Sequence, residues 1–309
     1  MKKLLILWLS GILVVHAQDK KVCFSIDDLP VVSYGEKDAQ FHLDLTDRLM
    51  AGLVAYHIPT IGFVNEGKMF DQEDELIPFQ KQCLEKWLEA GMELGNHTLK
   101  HRDFNTTDFG TFAAEIIIGE QLTKKLLKQY GKEMKYFRHP FLHTGATKER
   151  SDSLEQFLIS HHYITAPVTI DNDDYLFAQA YHTSKKKGDE KLAEQIGRDY
   201  VNYMEEKLVY FETQSQKLFS RDIGQVLLLH ASWLNSDFVD DLAEVYKKHG
   251  YSFASLEEIL KDEAYRTPIT KYGTYGISWL DRWAISMGKK GDFFQGEPGT
   301  PEYIQNFGR

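Results

Sequence analysis

Aspartates and histidines occur in this sequence at spacings that suit a metal ion. Asp27 and Asp28 are adjacent at the end of an apolar stretch, and His97 and His101 form an H-x-x-x-H pair. On a helix, residues i and i+4 share a face, so this pair could present two imidazoles to one cation. Adjacent carboxylates repel each other and need a cation or an arginine to stay ionised. Two histidines and one aspartate would leave positions open for water and substrate, as in hydrolytic metal sites.

A second H-x-x-x-H pair, His139 and His143, shows how weak such a pair is by itself. Pro140 and Gly145 disfavour a regular helix there, so we interpret the second pair as chance. Two surface histidines in the first turn of a helix would equally explain His97 and His101. The metal hypothesis therefore depends on polar residues elsewhere in the sequence.

Further polar residues follow other predicted strands. Arg138 follows the fourth strand, Asp171 and Asp174 follow the fifth, and His230 follows the sixth. Taken singly, Arg138 could form a surface salt bridge, and His230 could be a core histidine with a satisfied hydrogen bond. In parallel α/β folds, however, the carboxyl ends of the strands meet at one rim, where chemistry collects. We therefore expect these residues to meet the two aspartates and the first histidine pair.

The elements that would position these residues alternate along the chain. Apolar, β-branched stretches predict strands at 22–26, 60–64, 92–95, 134–138, 163–170, 226–230 and 251–254. Helical spacing predicts helices at 41–56, 74–90, 111–130, 148–160, 176–217 and 238–249. This order predicts an α/β fold, an irregular (β/α)7 barrel, with a doubly wound open sheet as the alternative. The stretch 176–217 predicts a helical insertion, as two helices or one long one.

The composition and the two ends of the chain limit the possible partners, location and domain organisation. The chain has 309 residues and a net charge of −10, which argues against binding nucleic acid or an anionic membrane. Lys2 and Lys3 precede an apolar run too short to span a bilayer, and Ala17 suits cleavage. We expect a signal peptide at 1–17, an exported protein without stable membrane insertion, a catalytic domain at 18–262 and a packed, aromatic-rich extension at 263–309.

Two other sequence patterns give little information about function. Cys23 and Cys83 could form a disulfide in an oxidising compartment or stay as separate buried thiols. The stretch from Gly62 to Lys68 nearly fits a phosphate loop, but Met69 cannot supply the hydroxyl that holds magnesium. A nucleotide site is therefore not predicted.

Five ordered motifs resemble those of the polysaccharide deacetylases, carbohydrate esterase family 4, which share the NodB-homology domain. The motifs are Ser25-Ile26-Asp27-Asp28-Leu29-Pro30, His97-Thr98-Leu99-Lys100-His101, Arg138-His139-Pro140-Phe141, Asp171 to Tyr175, and Leu228-Leu229-His230. Any single motif is unspecific, whereas five in order are a specific signal. The resemblance extends over residues 27 to 230.

The resemblance implies a role for each matching residue. Asp28, His97 and His101 would bind a divalent metal, zinc first, with Co²⁺, Ni²⁺, Mn²⁺ or Fe²⁺ as alternatives. Asp27 would be the general base held by Arg138, and Asp174 would orient His230 as the general acid. The substrate-binding residues would be Pro140, Phe141 through its backbone N–H, Tyr175 and Leu228.

The predicted function is metal-dependent removal of N-acetyl, or alternatively O-acetyl, groups from a cell-envelope or extracellular carbohydrate. The chain departs from the family pattern at Leu29, Leu142, Tyr175 and Ala231. We expect the bulky Leu29 and Leu142 to lie near the substrate groove and to disfavour a long polysaccharide. The alternatives are an inactive carbohydrate-binding homologue, a hydrolase of another small amide, and an iron oxygenase, which the α/β alternation disfavours.

Overall fold

The computed structural model describes residues 20–307, so the predicted signal peptide lies outside the described residues. The strands are β1 (Lys20–Leu29), β2 (Ile61–Val64), β3 (Glu93–Asn96), β4 (Tyr136–Phe137), β5 (Ile164–Thr165), β6 (Gln225–His230) and β7 (Tyr251–Phe253). The helices are α1 (Ala39–Ala55), α2 (Pro78–Glu89), α3 (Phe109–Ile118), α4 (Gln121–Gln129), α5 (Lys148–Ser160), α6 (Asp174–Lys186), α7 (Glu190–Phe219), α8 (Trp233–Lys248), α9 (Leu256–Ile259), α10 (Trp279–Ser286) and α11 (Glu302–Gln305). Within this part of the chain, no helix is long and apolar enough to cross a membrane.

All pairings between the strands are parallel, as predicted. The strands lie in the order β5-β4-β3-β2-β1-β6, and β7 pairs with the beginning of β1. Beyond β5 the chain bridges to β6 through Ile170 and Leu227, so the sheet curls round on itself. The result is a half-barrel, which confirms the predicted irregular (β/α)7 class over the open doubly wound alternative.

The central strand β1 is buried along most of its length. Its residues from Val22 to Asp27 are all buried, because one face of the strand packs against helices and the other faces the interior of the half-barrel. In register, Asp27 of β1 pairs with His230 of β6, and Val64 of β2 pairs with Asn96 of β3. The carboxyl ends of β1, β3 and β6 therefore lie side by side.

The helices match the predictions in part. Helix α5 has the predicted bounds, and the insertion forms two helices, α6 and α7. The predicted helix over 111–130 is wrong because it is two helices, α3 and α4, separated at Gly119 and Glu120. A Cβ at Gly119 would lie 2.5 Å from the Leu99 nitrogen, so α3 ends against the loop that follows β3.

The described part of the C-terminal extension packs on the barrel. Trp279, Trp283 and Ile304 are buried, and the Trp279 N–H donates to the Val168 carbonyl beside the closing stretch of the sheet (2.6 Å). Cys23 and Cys83 are separate buried thiols, so they form no disulfide with each other.

Candidate functional site

Asp28, His97 and His101 form a cluster at the carboxyl rim of the sheet. One ligand atom from each residue lies within 4.8 Å of the others. The Nε2 atoms of His97 and His101 lie 3.8 and 3.7 Å from Asp28 Oδ1. His97 Nδ1 lies 2.8 Å from the Arg138 carbonyl oxygen, which fixes the proton on Nδ1 and leaves the Nε2 lone pair free. The three side chains therefore present free donor atoms to one point.

The backbone around Asp28 lets two adjacent aspartates share the cavity. Successive residues of a regular strand point to opposite faces. Here the pairing of β1 with β2 shifts register between Ile26 and Leu29, and Asp28 has φ 66°. This local distortion directs both Asp27 and Asp28 into the same cavity. It also places Leu29 in the core against Gly62, so the expectation that Leu29 lies near the groove is wrong.

The two histidines lie on a loop, and the helix expected for the H-x-x-x-H pair is absent at these residues. Thr98 and His101 have φ of 67° and 53°, which no helix allows. The Thr98 N–H donates to Asn96 Oδ1 (2.7 Å), and the His101 N–H donates to Thr98 Oγ1 (3.0 Å). These side-chain bonds hold the loop in a left-handed conformation that brings the imidazole centroids to 4.8 Å.

Charges around Asp28 keep it ionised. Burial alone would raise the pKa of Asp28, but the positive charges around it, of which Lys68 is the largest, hold its pKa below the usual range. Lys68 Nζ also donates to the Asp28 carbonyl (2.7 Å). Burial lowers the pKa of both His97 and His101, so the imidazoles are neutral at neutral pH. A carboxylate facing two neutral imidazoles is a donor set suited to a divalent cation.

The first candidate proton carrier is Asp27. Its Oδ2 lies 3.4 Å from Arg138 Nη1, while its buried Oδ1 has no hydrogen-bond partner among the described residues. Burial raises the pKa of Asp27 to about 6, although the Arg138 charge opposes this. Arg138 is fully buried, and its Nη2 donates to Ser25 Oγ (2.8 Å), which donates to the Leu227 carbonyl (2.7 Å). A fixed carboxylate with a pKa near neutrality is suited to general base catalysis.

The second candidate proton carrier is His230. Its Nδ1 lies 2.6 Å from Asp174 Oδ1, and its backbone N–H donates to Asp174 Oδ2 (2.8 Å). Burial would lower the pKa of His230, but the charge and hydrogen bond of Asp174 raise it to about 9. Asn235 Nδ2 donates to Asp174 Oδ2 (2.8 Å), and the Tyr200 hydroxyl donates to Asn235 Oδ1 (2.6 Å). This network keeps His230 protonated at neutral pH.

These groups open into one cavity of about 510 Å³, a size typical of small-molecule sites. Its wall contains the two candidate proton carriers, the Asp28–His97–His101 cluster and four other predicted residues: Phe141, Tyr175, Leu228 and Leu142. Pro140, which was predicted to bind substrate, is buried and does not line the cavity. Arg138 and Asp174 lie behind the wall, where they contact Asp27 and His230 respectively.

Several wall or support residues were not predicted as part of the site, among them Lys68, Tyr34 and Gly276. Lys68 follows β2 at the same rim, and the rule that polar residues collect there could have found it. Tyr34 lines the cavity and donates its hydroxyl to the Tyr175 carbonyl (3.1 Å). Gly276 enters the wall from the C-terminal extension, and no local sequence pattern indicates this.

An unpartnered oxygen of Asp28 indicates that these residues fit a divalent metal. Asp28 Oδ1 is buried and has no hydrogen-bond partner among residues 20–307, although the Nε2 atoms of His97 and His101 both face it. Such an orphaned carboxylate oxygen is costly unless a cation satisfies it. Asp28, His97 and His101 could therefore hold the metal, with the second ring nitrogen of His97 already anchored to backbone.

Comparison with known proteins supports the resemblance to the polysaccharide deacetylases. A family model described as polysaccharide deacetylase matches residues 15–155, slightly less than half of the chain, and confirms the resemblance seen in the motifs. The match includes Asp27, Asp28, His97, His101 and Arg138, and it ends before His230. Among curated proteins, none matches the chain in sequence.

The solved structures that resemble this chain are distant from it in sequence. A family 4 carbohydrate esterase from Bacillus anthracis is 17% identical, with 79% of this chain and 84% of that chain covered and a TM-score of 0.46. The peptidoglycan deacetylase PdaC from Bacillus subtilis, solved as a mutant, is 16% identical, with 79% and 93% covered and a TM-score of 0.47. BA3943 from Bacillus anthracis, a CE4 family pseudoenzyme, is 15% identical, with 79% and 66% covered and a TM-score of 0.45. The family resemblance therefore depends on the family model and the motifs.

Proposed function

We propose that this chain, whose N-terminal half matches the polysaccharide deacetylases, is a metal-dependent hydrolase that removes acetyl groups from an exported or extracellular carbohydrate. The N-acetyl group is the proposed substrate, with O-acetyl as the variant of the same chemistry. The proposal rests on three features that share one cavity. A three-residue cation cluster, a base with a pKa of about 6 and an acid with a pKa of about 9 line one cavity.

Asp27 and His230 divide the proton transfers between them. Asp27 Oδ1 takes a proton from the attacking water, because it is ionised above pH 6 and has no other partner among the described residues. His230 gives a proton to the departing nitrogen, which leaves poorly as an anion. The ion pair with Asp174 keeps this proton available at neutral pH. An acid and a base with separated pKa values are the usual arrangement for such hydrolysis.

The remaining residues hold the reacting groups. Bound by Asp28, His97 and His101, a divalent cation would act as a Lewis acid toward water and the acetyl carbonyl. Zn²⁺ is the proposed ion because two imidazoles and one carboxylate suit it. The Phe141 N–H, which has no acceptor in the described part of the chain, is available to the acetyl oxygen. Arg138 fixes Asp27, and Leu228 and Tyr175 line the cavity where the acetyl group would lie.

The location outside the cytoplasm is part of the proposal. It is supported by Lys2, Lys3 and the apolar run before Ala17, which have the order of a secretory signal. N-terminal sequencing of the protein recovered from the periplasm or medium would test it, with a mature chain beginning at Gln18 as the expected result. Recovery of the intact chain from the cytoplasm would contradict it.

Acetate release by the purified mature protein tests the activity. The protein is loaded with Zn²⁺ and incubated with acetylated chitooligosaccharides, peptidoglycan fragments and acetylated xylan. Asp27→Asn and Asp240→Asn are run in parallel, because Asp240 is an exposed carboxylate on α8 outside the cavity and the same substitution there serves as the matched control. We expect acetate from at least one substrate with the control variant and at least about 100-fold slower release with Asp27→Asn. Equal release by Asp27→Asn would overturn the assignment of the base.

A further inference from the structure

The C-terminal extension contributes to the proposed active site itself. We propose that Gly276 and Arg282 are positioning residues that hold the Phe141–Leu142 turn, so that the Phe141 N–H can meet the acetyl oxygen. This inference rests on the proposed deacetylase function, but it assigns a task to residues outside the motif-bearing domain. The turn and the extension meet at the wall of the catalytic cavity, where Phe141, Leu142 and Gly276 are neighbours.

The Phe141–Leu142 turn needs support from outside. Both residues have positive φ, 56° and 54°, a conformation that residues with a Cβ rarely adopt. Inside the turn, the Leu142 N–H donates to the His139 carbonyl and the His143 N–H to the Pro140 carbonyl, each at 3.0 Å. The Phe141 ring also packs edge-on against His101, with centroids 4.4 Å apart. A shift of the turn would therefore move the N–H donor and the Phe141 ring, while the loop that carries His97 and His101 keeps its own hydrogen bonds.

Gly276 packs directly on the carbonyl oxygen of this turn. A Cβ at position 276 would overlap the Phe141 carbonyl oxygen and lie 3.3 Å from His143 Cδ2. The backbone φ of Gly276 is not in the left-handed region, so the absence of a side chain matters here because of space. Only glycine allows the extension to approach the turn this closely.

Arg282 fixes the same turn through a hydrogen bond. Its guanidinium is buried, and Nη2 donates to the Leu142 carbonyl (2.7 Å) and to the Tyr275 carbonyl (3.3 Å). One side chain therefore ties the turn to the residue that precedes Gly276. Asn105 Nδ2 adds a second anchor by donating to the Thr274 carbonyl (2.9 Å). A buried charge-assisted bond to two carbonyls is costly to lose, which suits a fixed arrangement.

The chain offers a matched pair of glycines for the test. Gly276→Ala introduces the overlap with Phe141, whereas a Cβ at Gly273 meets nothing within 4 Å and Gly273 has no positive φ. We expect Gly276→Ala to lower kcat for acetate release by about 10- to 100-fold, with KM and bound metal unchanged, because small misplacements of a catalytic group cost that much. Gly273→Ala should match the wild type. Equal kcat for the two variants would overturn the proposal.

Arg282 is tested by a conservative rescue. Arg282→Met should lower kcat in the same way, and Arg282→Lys should recover part of it because an ammonium can still donate to the Leu142 carbonyl. A purely structural role would lower the melting temperature of both variants and leave kcat of the folded protein intact. That result would contradict the positioning role of Arg282.

Amide hydrogen exchange separates this inference from the proposed function. In the metal-loaded wild type, the Leu142 and His143 amides should be protected by their bonds within the turn. Gly276→Ala should lose this protection and Gly273→Ala should keep it, whether or not any substrate is turned over. Unchanged protection in Gly276→Ala would refute the inference even if the enzyme is active. Absent acetate release from the wild type with the predicted exchange pattern would instead refute the proposed function alone.

Discussion

Asp174→Asn is expected to move the alkaline limb of the pH–rate profile. In the proposed mechanism, activity requires Asp27 without its proton and His230 with its proton. kcat/KM should therefore rise with pH through about 6, the pKa of Asp27, and fall through about 9, the pKa of His230. A cation at Asp28 would lower the pKa of both Asp27 and His230, so the acidic limb is expected at or below pH 6 and the alkaline limb at or below pH 9.

The magnitude follows from what raises the pKa of His230. Burial lowers this pKa, and Asp174 supplies the largest opposing contributions through its charge and its hydrogen bond. Without that charge, the pKa of His230 should fall to its ordinary value of about 6.5 or below. At pH 8 the protonated fraction would then drop from about 0.9 to about 0.03, a loss of about 30-fold. With the pKa of His230 at about 6.5, the same change costs less than about twofold at pH 6.

The assay is acetate release measured between pH 5 and 10 for wild type, Asp174→Asn and Asp240→Asn. The amide introduced by Asp174→Asn keeps an oxygen that can accept from His230 Nδ1. Any remaining disorder of the imidazole ring would lower activity equally at every pH, so it would not move the alkaline limb. Asp240 is an exposed carboxylate on α8 and controls for a change of net charge. An alkaline limb of Asp174→Asn that coincides with the wild-type limb would refute the assigned role of the Asp174–His230 pair.

The other predictions concern the base, the metal and the buried network. Asp27→Asn should keep one bound metal per chain and lower kcat by about 10²- to 10⁴-fold; loss of the metal would mean that the two aspartates have the opposite roles. His97→Ala should lose metal and activity together, as measured by elemental analysis and acetate release, and retained activity would exclude the proposed centre. Asn235→Ala should lower the free energy of unfolding by about 1–3 kcal/mol, because the buried Asp174 and the Tyr200 hydroxyl lose a partner. Urea unfolding with an unchanged midpoint would contradict this last prediction.

The sheet was predictable because its strands are short apolar runs separated by helical spacing. β1 and β6 begin and end within a few residues of the predicted bounds, since a strand buried on both faces has a nearly continuous apolar sequence. The rule that polar residues meet at the carboxyl rim also predicts that Asp27, Asp28 and His230 lie together, as they do in the cavity wall. These features depend on local patterns and on one general property of parallel sheets.

The loop after β3 and the face of Leu29 could not be predicted from local patterns. The i, i+4 spacing of His97 and His101 suggested a helix, whereas bonds from Asn96 and Thr98 hold a left-handed loop that Glu115 of α3 supports from outside. The register shift in β1 reverses the face expected for Leu29. Propensities describe neither a non-glycine residue at positive φ nor a bulge between two strands.

The part of the cavity wall formed by the C-terminal extension has a different cause. Gly276 and Arg282 meet Phe141 and Leu142 across more than 130 positions of sequence, and nothing in the extension resembles a motif. Such contacts are set by the packing of Trp279 and Trp283 on the barrel. The aromatic content of the extension indicated packing, but it could not indicate which surface would be covered.

The central claim is that a metal held by Asp28, His97 and His101 is required for deacetylation. The most direct measurement is acetate release from an acetylated chitooligosaccharide by the mature protein after chelation and after titration with Zn²⁺. We expect no acetate from the chelated protein and full recovery at one Zn²⁺ per chain, with no recovery for His97→Ala. Acetate release that persists after chelation, or that His97→Ala supports equally well, would contradict it.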